Sequence, residues 1–229
     1  LSNEEVRTGR LVADALKKMG IEVREGVART GVVGVLHGGK PGPVVALRAD
    51  MDALPVTEEV DLPFKSKVRA TFNGQDVGVM HACGHDAHTA MLLGAAEVLS
   101  GMRSQIAGTV KFIFQPAEEG ASVPAGERSG AELMISEGVM ENPKVNAVFG
   151  IHVWPDEPGA VSYRAGGAMA AGDGLLITVH GKQTHGAQPW RGIDPGVVAA
   201  QIVNALQAIT ARQTDITAAP AVVTVATIH

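Results

Sequence analysis

The 229-residue chain carries 19 lysines and arginines against 24 aspartates and glutamates, a formal net charge of −5, and 45% of its residues are hydrophobic. These proportions belong to a globular chain rather than a disordered one, and the acidic balance argues against the basic face that a nucleic-acid-binding protein carries. No apolar run approaches the ~18 uncharged residues of a membrane helix, the opening LSNEEVRTGR has no signal-peptide core, and a single cysteine, Cys83, excludes an intrachain disulfide. A reducing, cytoplasmic setting is the expectation. The start at Leu1 and the stop at His229, directly after the apolar run AVVTVATI, both read as cut ends.

In chain order, Ser2-Asn3-Glu4-Glu5 has the form of a capping box, with Ser2 accepting from first-turn amides. Leu11, Val12, Ala15, Leu16 and Met19 then follow at helical spacing, and Gly20 supplies the stop. Strands are predicted at 31–36 (GVVGVL) and, after a Pro41-Gly42-Pro43 turn, at 44–47. Beyond them come a helix at 86–99, a strand at 109–114, a short helix at 130–136 and a strand at 146–153. Strands separated by helical stretches imply right-handed crossovers and an α/β fold with a mostly parallel sheet and flanking helices. The apolar strands agree, since a parallel sheet is buried on both faces. A Gly/Ala-rich stretch at 163–174 reads as a hinge. After it a strand at 175–180, a helix at 195–211 and a strand at 221–228 make a second unit, part of a smaller α+β domain.

Chemistry-bearing residues collect at the carboxyl ends of predicted strands, where open α/β sheets place ligands. They are Asp50 and Asp52, the run from His81 to His88 that opens a helix, Glu118-Glu119 and His152. Cys83 and His85, separated by Gly84, set a thiol and an imidazole close together, and Glu119 and His152 complete a donor set suited to a catalytic metal. Glu118 is then free to act as general base. Asp50, Asp52 and Asp86 are candidates for orienting the imidazoles. Each feature alone has a plainer reading: Cys83 as a small buried hydrophobe, His81, His85 and His88 as a nonspecific metal-binding tract, and Asp86 as a helix cap. Polar ligand types at successive strand ends are harder to explain as packing.

The strings RADMDALP (48–55), MHACGHDAHT (80–89), FQPAEEG (114–120), GIHVWP (150–155) and GKQTHGAQP (181–189) resemble the metal-dependent amidohydrolases, the group of aminoacylases, hippurate hydrolases and indole-acetyl-amino-acid hydrolases. The resemblance implies a zinc-peptidase-like catalytic domain over 1–165 and an incomplete lid and dimerisation domain over 166–229. It implies Cys83, His85, Glu119 and His152 as ligands of one or two manganese or zinc ions, and Glu118 as general base. It also implies that His185 in the lid binds substrate and the oxyanion, in related enzymes from the partner subunit. The expected substrate is a small-molecule N-acyl amino acid, cleaved at its amide by a homodimer, with no nucleic acid or membrane involved. The family supplies a further histidine ligand beyond this chain, for which His229 is not counted. The polar run ASVPAGERS at 121–129 is longer than the family's usual connection. Two alternatives stand beside this reading: a non-catalytic remnant that binds metal or an amino acid, and a cysteine hydrolase with Cys83 as a low-pKa nucleophile at a helix N-terminus.

Overall fold

A computed structural model describes residues 1–120, 126–167, 169, 172–218 and 221–229, so the long polar loop at 121–129 and the hinge at 163–174 lie partly outside the described residues. The chain divides into two compact units, Leu1–Ala160 and Val161–His229.

The first unit runs α1 (Val6–Lys18), β1 (Glu22–Val27), β2 (Gly31–His37), β3 (Lys40–Asp50), β4 (Arg69–Phe72), β5 (Gln75–Gly78), α2 (His85–Gly101), β6 (Ala107–Gln115), α3 (Gly130–Ser136) and β7 (Ala147–Gly150). Five strands form one sheet in the order β1-β2-β6-β3-β7. β3 pairs in parallel with both β6 and β7, while β2 runs antiparallel to β1 and β6. Only β2 is therefore reversed, and the expected mostly parallel α/β sheet is present. The register sets Asp50 of β3 opposite Gln115 of β6 and Arg48 opposite Gly150 of β7. Three carboxyl ends thus lie side by side, and the chain leaving each one enters the same region.

Alternation along β6 divides the core between the two faces of the sheet. Phe112 and Phe114 pack with Leu16 of α1 and Leu92 of α2 on one face, while Ile113 packs with Ala46, Met134 and Val139 on the other. Lys111, also buried, donates from Nζ to the carbonyls of Val139, Glu141 and Pro143 at 2.9, 2.8 and 2.9 Å.

Several local expectations change. Ser2 does not cap α1, whose N-cap is Glu5 without a side-chain cap bond; Ser2 is instead fully buried and donates to Asp52 Oδ2 at 2.7 Å. The Pro41-Gly42-Pro43 segment is not a turn before a strand. It lies inside β3, where the pairing with β6 shifts register between Lys40 and Val44 and Gly42 leaves no room for a Cβ against the Ala107 carbonyl carbon. β1 and the β4–β5 hairpin are additional to the predicted strands. The hairpin turns on Asn73-Gly74, both at positive φ, which is the backbone such a two-residue connection needs.

In the second unit α4 (Pro195–Ala208) starts at Asp194, whose Oδ1 accepts from Gly196 N–H at 2.9 Å. It runs into a π-turn over Ile209–Gln213. The stretches expected as strands at 175–180 and 221–228 are not strands among the described residues. Leu175 and Leu176 are 81% and 91% exposed, which fits apolar β-type sequence that has no ladder partner. No helix among the described residues is long and apolar enough to cross a membrane.

Candidate metal centre

Each segment that leaves the sheet is held in place before it contributes a side chain. After β6, Ala117 takes positive φ and donates its N–H to Glu5 Oε1 at 2.9 Å. The next two amides, of Glu118 and Glu119, donate to Asp52 Oδ1 and Oδ2 at 3.1 and 3.0 Å. Gly84 caps α2 in the left-handed region, and a Cβ there would collide with Val153 Cγ2. Only glycine therefore allows the Cys83–His85 step to close against the segment that carries His152.

Asp52 is buried and accepts from Ser2, His85 Nδ1 at 3.2 Å and the two glutamate amides. Burial by itself would raise its pKa. The hydrogen bonds from His85, Ser2 and the Glu119 and Glu118 amides outweigh that and bring it down to about 2. An ionised Asp52 fixes the His85 proton on Nδ1 and leaves Nε2 as the lone-pair nitrogen. That Nε2 is buried with no hydrogen-bond partner among the described residues, as is Glu119 Oε1, 3.7 Å away.

His152 is arranged in the same sense. Its Nδ1 donates to the Val153 carbonyl at 2.6 Å, so Nε2 faces Cys83 Sγ at 3.4 Å. Donor atoms of Cys83, His85 and His152 lie within 4.8 Å of one another, as do those of His85, Glu118 and Glu119. Two of these buried donors have no proton to share and no partner, a costly arrangement in a dry site. The two groups share His85, and their thiolate, imidazole and carboxylate donors are types that would suit divalent zinc or manganese.

Electrostatics separates the roles open to neighbouring groups. Burial, then Asp50 and Glu119, raise the pKa of Glu118, whose side chain remains 40% exposed. A carboxylate with raised pKa and access to solvent is suited to accepting and returning a proton. Burial, then the Glu119 and Glu118 carboxylates, push the Cys83 thiol up to about 11. That is opposite to the low pKa a cysteine nucleophile needs, and a cation beside the sulfur is what would ionise it.

The remaining predicted residues lie elsewhere or are already engaged. Asp50 is buried, with Oδ1 2.6 Å from His88 Nδ1 and Oδ2 2.7 Å from Arg48 Nη1. Asp86 is exposed on the first turn of α2 and accepts from the Ala87 N–H; it is outside the network that joins Asp50, Asp52 and the buried imidazoles. His185 is exposed in the second unit, where its Nδ1 accepts from Ala187 N–H at 3.1 Å, leaving Nε2 as the donor side of a neutral ring. Ser2 and Glu5 were not among the site residues expected from sequence, and His88 figured only as part of the histidine tract, without a role of its own. A histidine one turn after His85 on the same helix was the available signal for His88; no local signal existed for Ser2 or Glu5.

Residues 46–227 match Peptidase family M20/M25/M40. The chain is 50% identical over 231 residues to thermostable carboxypeptidase 1 of Saccharolobus solfataricus, covering 100% of this chain and 55% of that protein. It is 45% identical over 216 residues to the IAA-amino acid hydrolase ILR1-like 2 of Arabidopsis thaliana, covering 94% of this chain and 45% of that protein. Among solved structures it is similar to a dinuclear metal-binding peptidase from the M20 family of Bacillus subtilis, the YXEP protein, with TM-score 0.58 and 43% identity over 68% of this chain and 39% of that one. The chain spans about half the length of the curated relatives it matches.

Proposed function

The chain belongs to peptidase family M20/M25/M40, and from that premise we propose that it forms the metal-holding part of a hydrolase that cleaves the amide bond of N-acyl amino acids. The observation that supports the reading is the pair of donor groups that share His85, one with Cys83 and His152 and the other with Glu118 and Glu119, in which His85 Nε2 and Glu119 Oε1 are buried and partnerless while Glu118 is solvent-reachable. A divalent ion held there, manganese or zinc and one or two in number, supplies Lewis acidity to the amide carbonyl and to an attacking water. The Cys83 sulfur favours zinc by softness, while the family resemblance brings manganese.

The chain's own residues account for the proton traffic. Glu118 takes a proton from water as the oxygen attacks the carbonyl carbon, and it returns that proton to the nitrogen as the C–N bond breaks. The products are a carboxylate and a free amino acid. Asp52 keeps His85 in one tautomer and holds the amides of both glutamates. His185 takes the part the resemblance gives it, a donor to the developing oxyanion, and the homodimer is proposed on the same ground.

The name of the carboxypeptidase relative supports a second reading of specificity, release of a C-terminal amino acid from a peptide. Amino-acid release from N-acetyl and N-benzoyl amino acids, set against release from dipeptides in the full-length protein, separates the two. Glu118→Gln is expected to lower turnover by about 10³-fold or more while metal content stays at the wild-type level. Near-normal turnover in that variant overturns the assignment of Glu118.

A further inference from the structure

We infer that His88 is a positioning residue that aims His152 at the candidate metal centre through the peptide groups of Val153, and is not itself a ligand; the inference rests on the metal-centre reading above. His88 is buried on α2, one turn beyond His85, and its donor atoms cluster with those of Asp50 and His85 closely enough to look like a third ligand group. Both ring nitrogens are nevertheless occupied. Nδ1 lies 2.6 Å from Asp50 Oδ1. An ionised carboxylate only accepts, so the proton sits on Nδ1. Nε2 then carries the lone pair, and the Val153 N–H donates to it at 2.8 Å. A cation on Nδ1 would strand the buried Asp50 carboxylate, and one on Nε2 would displace the part-buried Val153 N–H.

What His88 holds is a segment that lies beyond the end of its strand. β7 ends at Gly150, so no sheet ladder fixes residues 151–153. The Val153 peptide supplies that support from both ends. Its N–H is held by His88, and its carbonyl accepts from His152 Nδ1 at 2.6 Å. A rotation of Val153 therefore turns the His152 ring, and with it the Nε2 that faces Cys83 Sγ at 3.4 Å. The two rings also pack edge to face with centroids 4.6 Å apart. The His88 end is fixed in turn, because Asp50 is paired with Arg48 and accepts from Thr89 Oγ1 at its carbonyl.

The two amide side chains divide the imidazole's work. In His88→Gln the side-chain oxygen reaches the Nε2 position and can accept from Val153; in His88→Asn the amide nitrogen reaches the Nδ1 position and keeps only the Asp50 contact. Affinity for manganese and zinc is measured by chelator competition, with protection of Cys83 from alkylation by the bound ion as a second readout and the apo unfolding temperature as a check on folding. We expect His88→Asn to lose ~10-fold or more in affinity together with Cys83 protection, and His88→Gln to stay within about threefold of wild type. Wild-type affinity in His88→Asn, or equal losses in the two variants, overturns the inference. If His88→Asn does not fold, His88→Gln decides alone: retained affinity supports the inference and a tenfold loss overturns it. A wild-type protein that binds neither metal, with Cys83 unprotected, brings down the metal-centre reading itself and this inference with it.

Discussion

Asp52 accepts hydrogen bonds from Ser2, His85, Glu118 and Glu119, residues separated in sequence by as much as the full span from 2 to 119. One ionised carboxylate thus ties the N-terminal segment, helix α2 and the turn after β6 to the end of β3. Its folded pKa of about 2 lies below the ordinary value of 3.8, so its stabilising contribution is complete above about pH 4 and is lost as pH falls through about 2. The difference corresponds to about 2 kcal/mol. Urea unfolding of the metal-free protein is expected to give the widest gap between wild type and Asp52→Asn near pH 5, because Asp52 also raises the His85 pKa and that part of the stabilisation fades as the pH rises above about 6.5. That gap narrows by about 2 kcal/mol as the pH is lowered from about 4 to 2. A gap independent of pH would separate Asp52 ionisation from folding. Glu118 and Glu119 illustrate the residue scale in another way. Their amides point to the same carboxylate, yet one side chain is well exposed and the other is mostly buried, which is how adjacent acids come to suit different tasks.

Among the elements, β6 carries the widest range of duties. It lies between β2 and β3, supplies Phe112 and Phe114 to one face and Ile113 to the other, and delivers the glutamate pair from its carboxyl end. Lys111 sits among those apolar residues with all three ammonium protons directed at carbonyls of the connection between α3 and β7. Burial lowers its pKa, yet three short bonds leave no donor unsatisfied. Lys111→Met keeps the apolar stem and strands three carbonyls, and is expected to cost about 3 kcal/mol by urea unfolding. A loss under about 0.5 kcal/mol would mean that water replaces the ammonium at little cost. α2 shows the same dependence of an element on its neighbours. Its left-handed cap at Gly84 is shaped by the close approach of Val153, so the start of the helix and the His152 segment are built against each other.

Across the whole molecule, all the candidate donors fall within the unit Leu1–Ala160. Metal binding should therefore be linked to the unfolding of that unit. An ion at about 100 times its dissociation constant adds about 2.7 kcal/mol to folding. We expect added manganese or zinc to raise the unfolding temperature by several degrees over the chelated protein, and Cys83→Ser to reduce that rise. No shift with either metal on a folded sample would mean that the donors do not hold an ion. The matched relatives are about twice the length of this chain, so substrate choice and assembly are questions for the full-length protein rather than for these residues alone.

Local pattern alone located α1, α2, α3, most of β2 and β6, the middle of β3, and the strings that carry Cys83, His85, Glu118, Glu119 and His152. Helix and strand periodicity are short-range properties, and parallel order follows from helices alternating with apolar strands. The hairpin at Asn73-Gly74 was not among the predicted elements, although the Asn-Gly pair is a local turn signal. Other features depend on pairings that no local window contains. Ser2 looks like a helix cap until β3 brings Asp52 to it, and His88 looks like one of three similar histidines until Val153 reaches its Nε2. Asp86 resembles the other two acids in sequence, but its place on the exposed first turn of α2 keeps it from the buried imidazoles. The apolar stretches at 175–180 and 221–228 have strand composition without a ladder, because a strand exists only through its neighbour. Residue types and spacing determined which chemistry this chain could carry. Only the sheet, by setting three carboxyl ends side by side, decided which of those groups meet, since that meeting rests on hydrogen bonds between residues tens of positions apart.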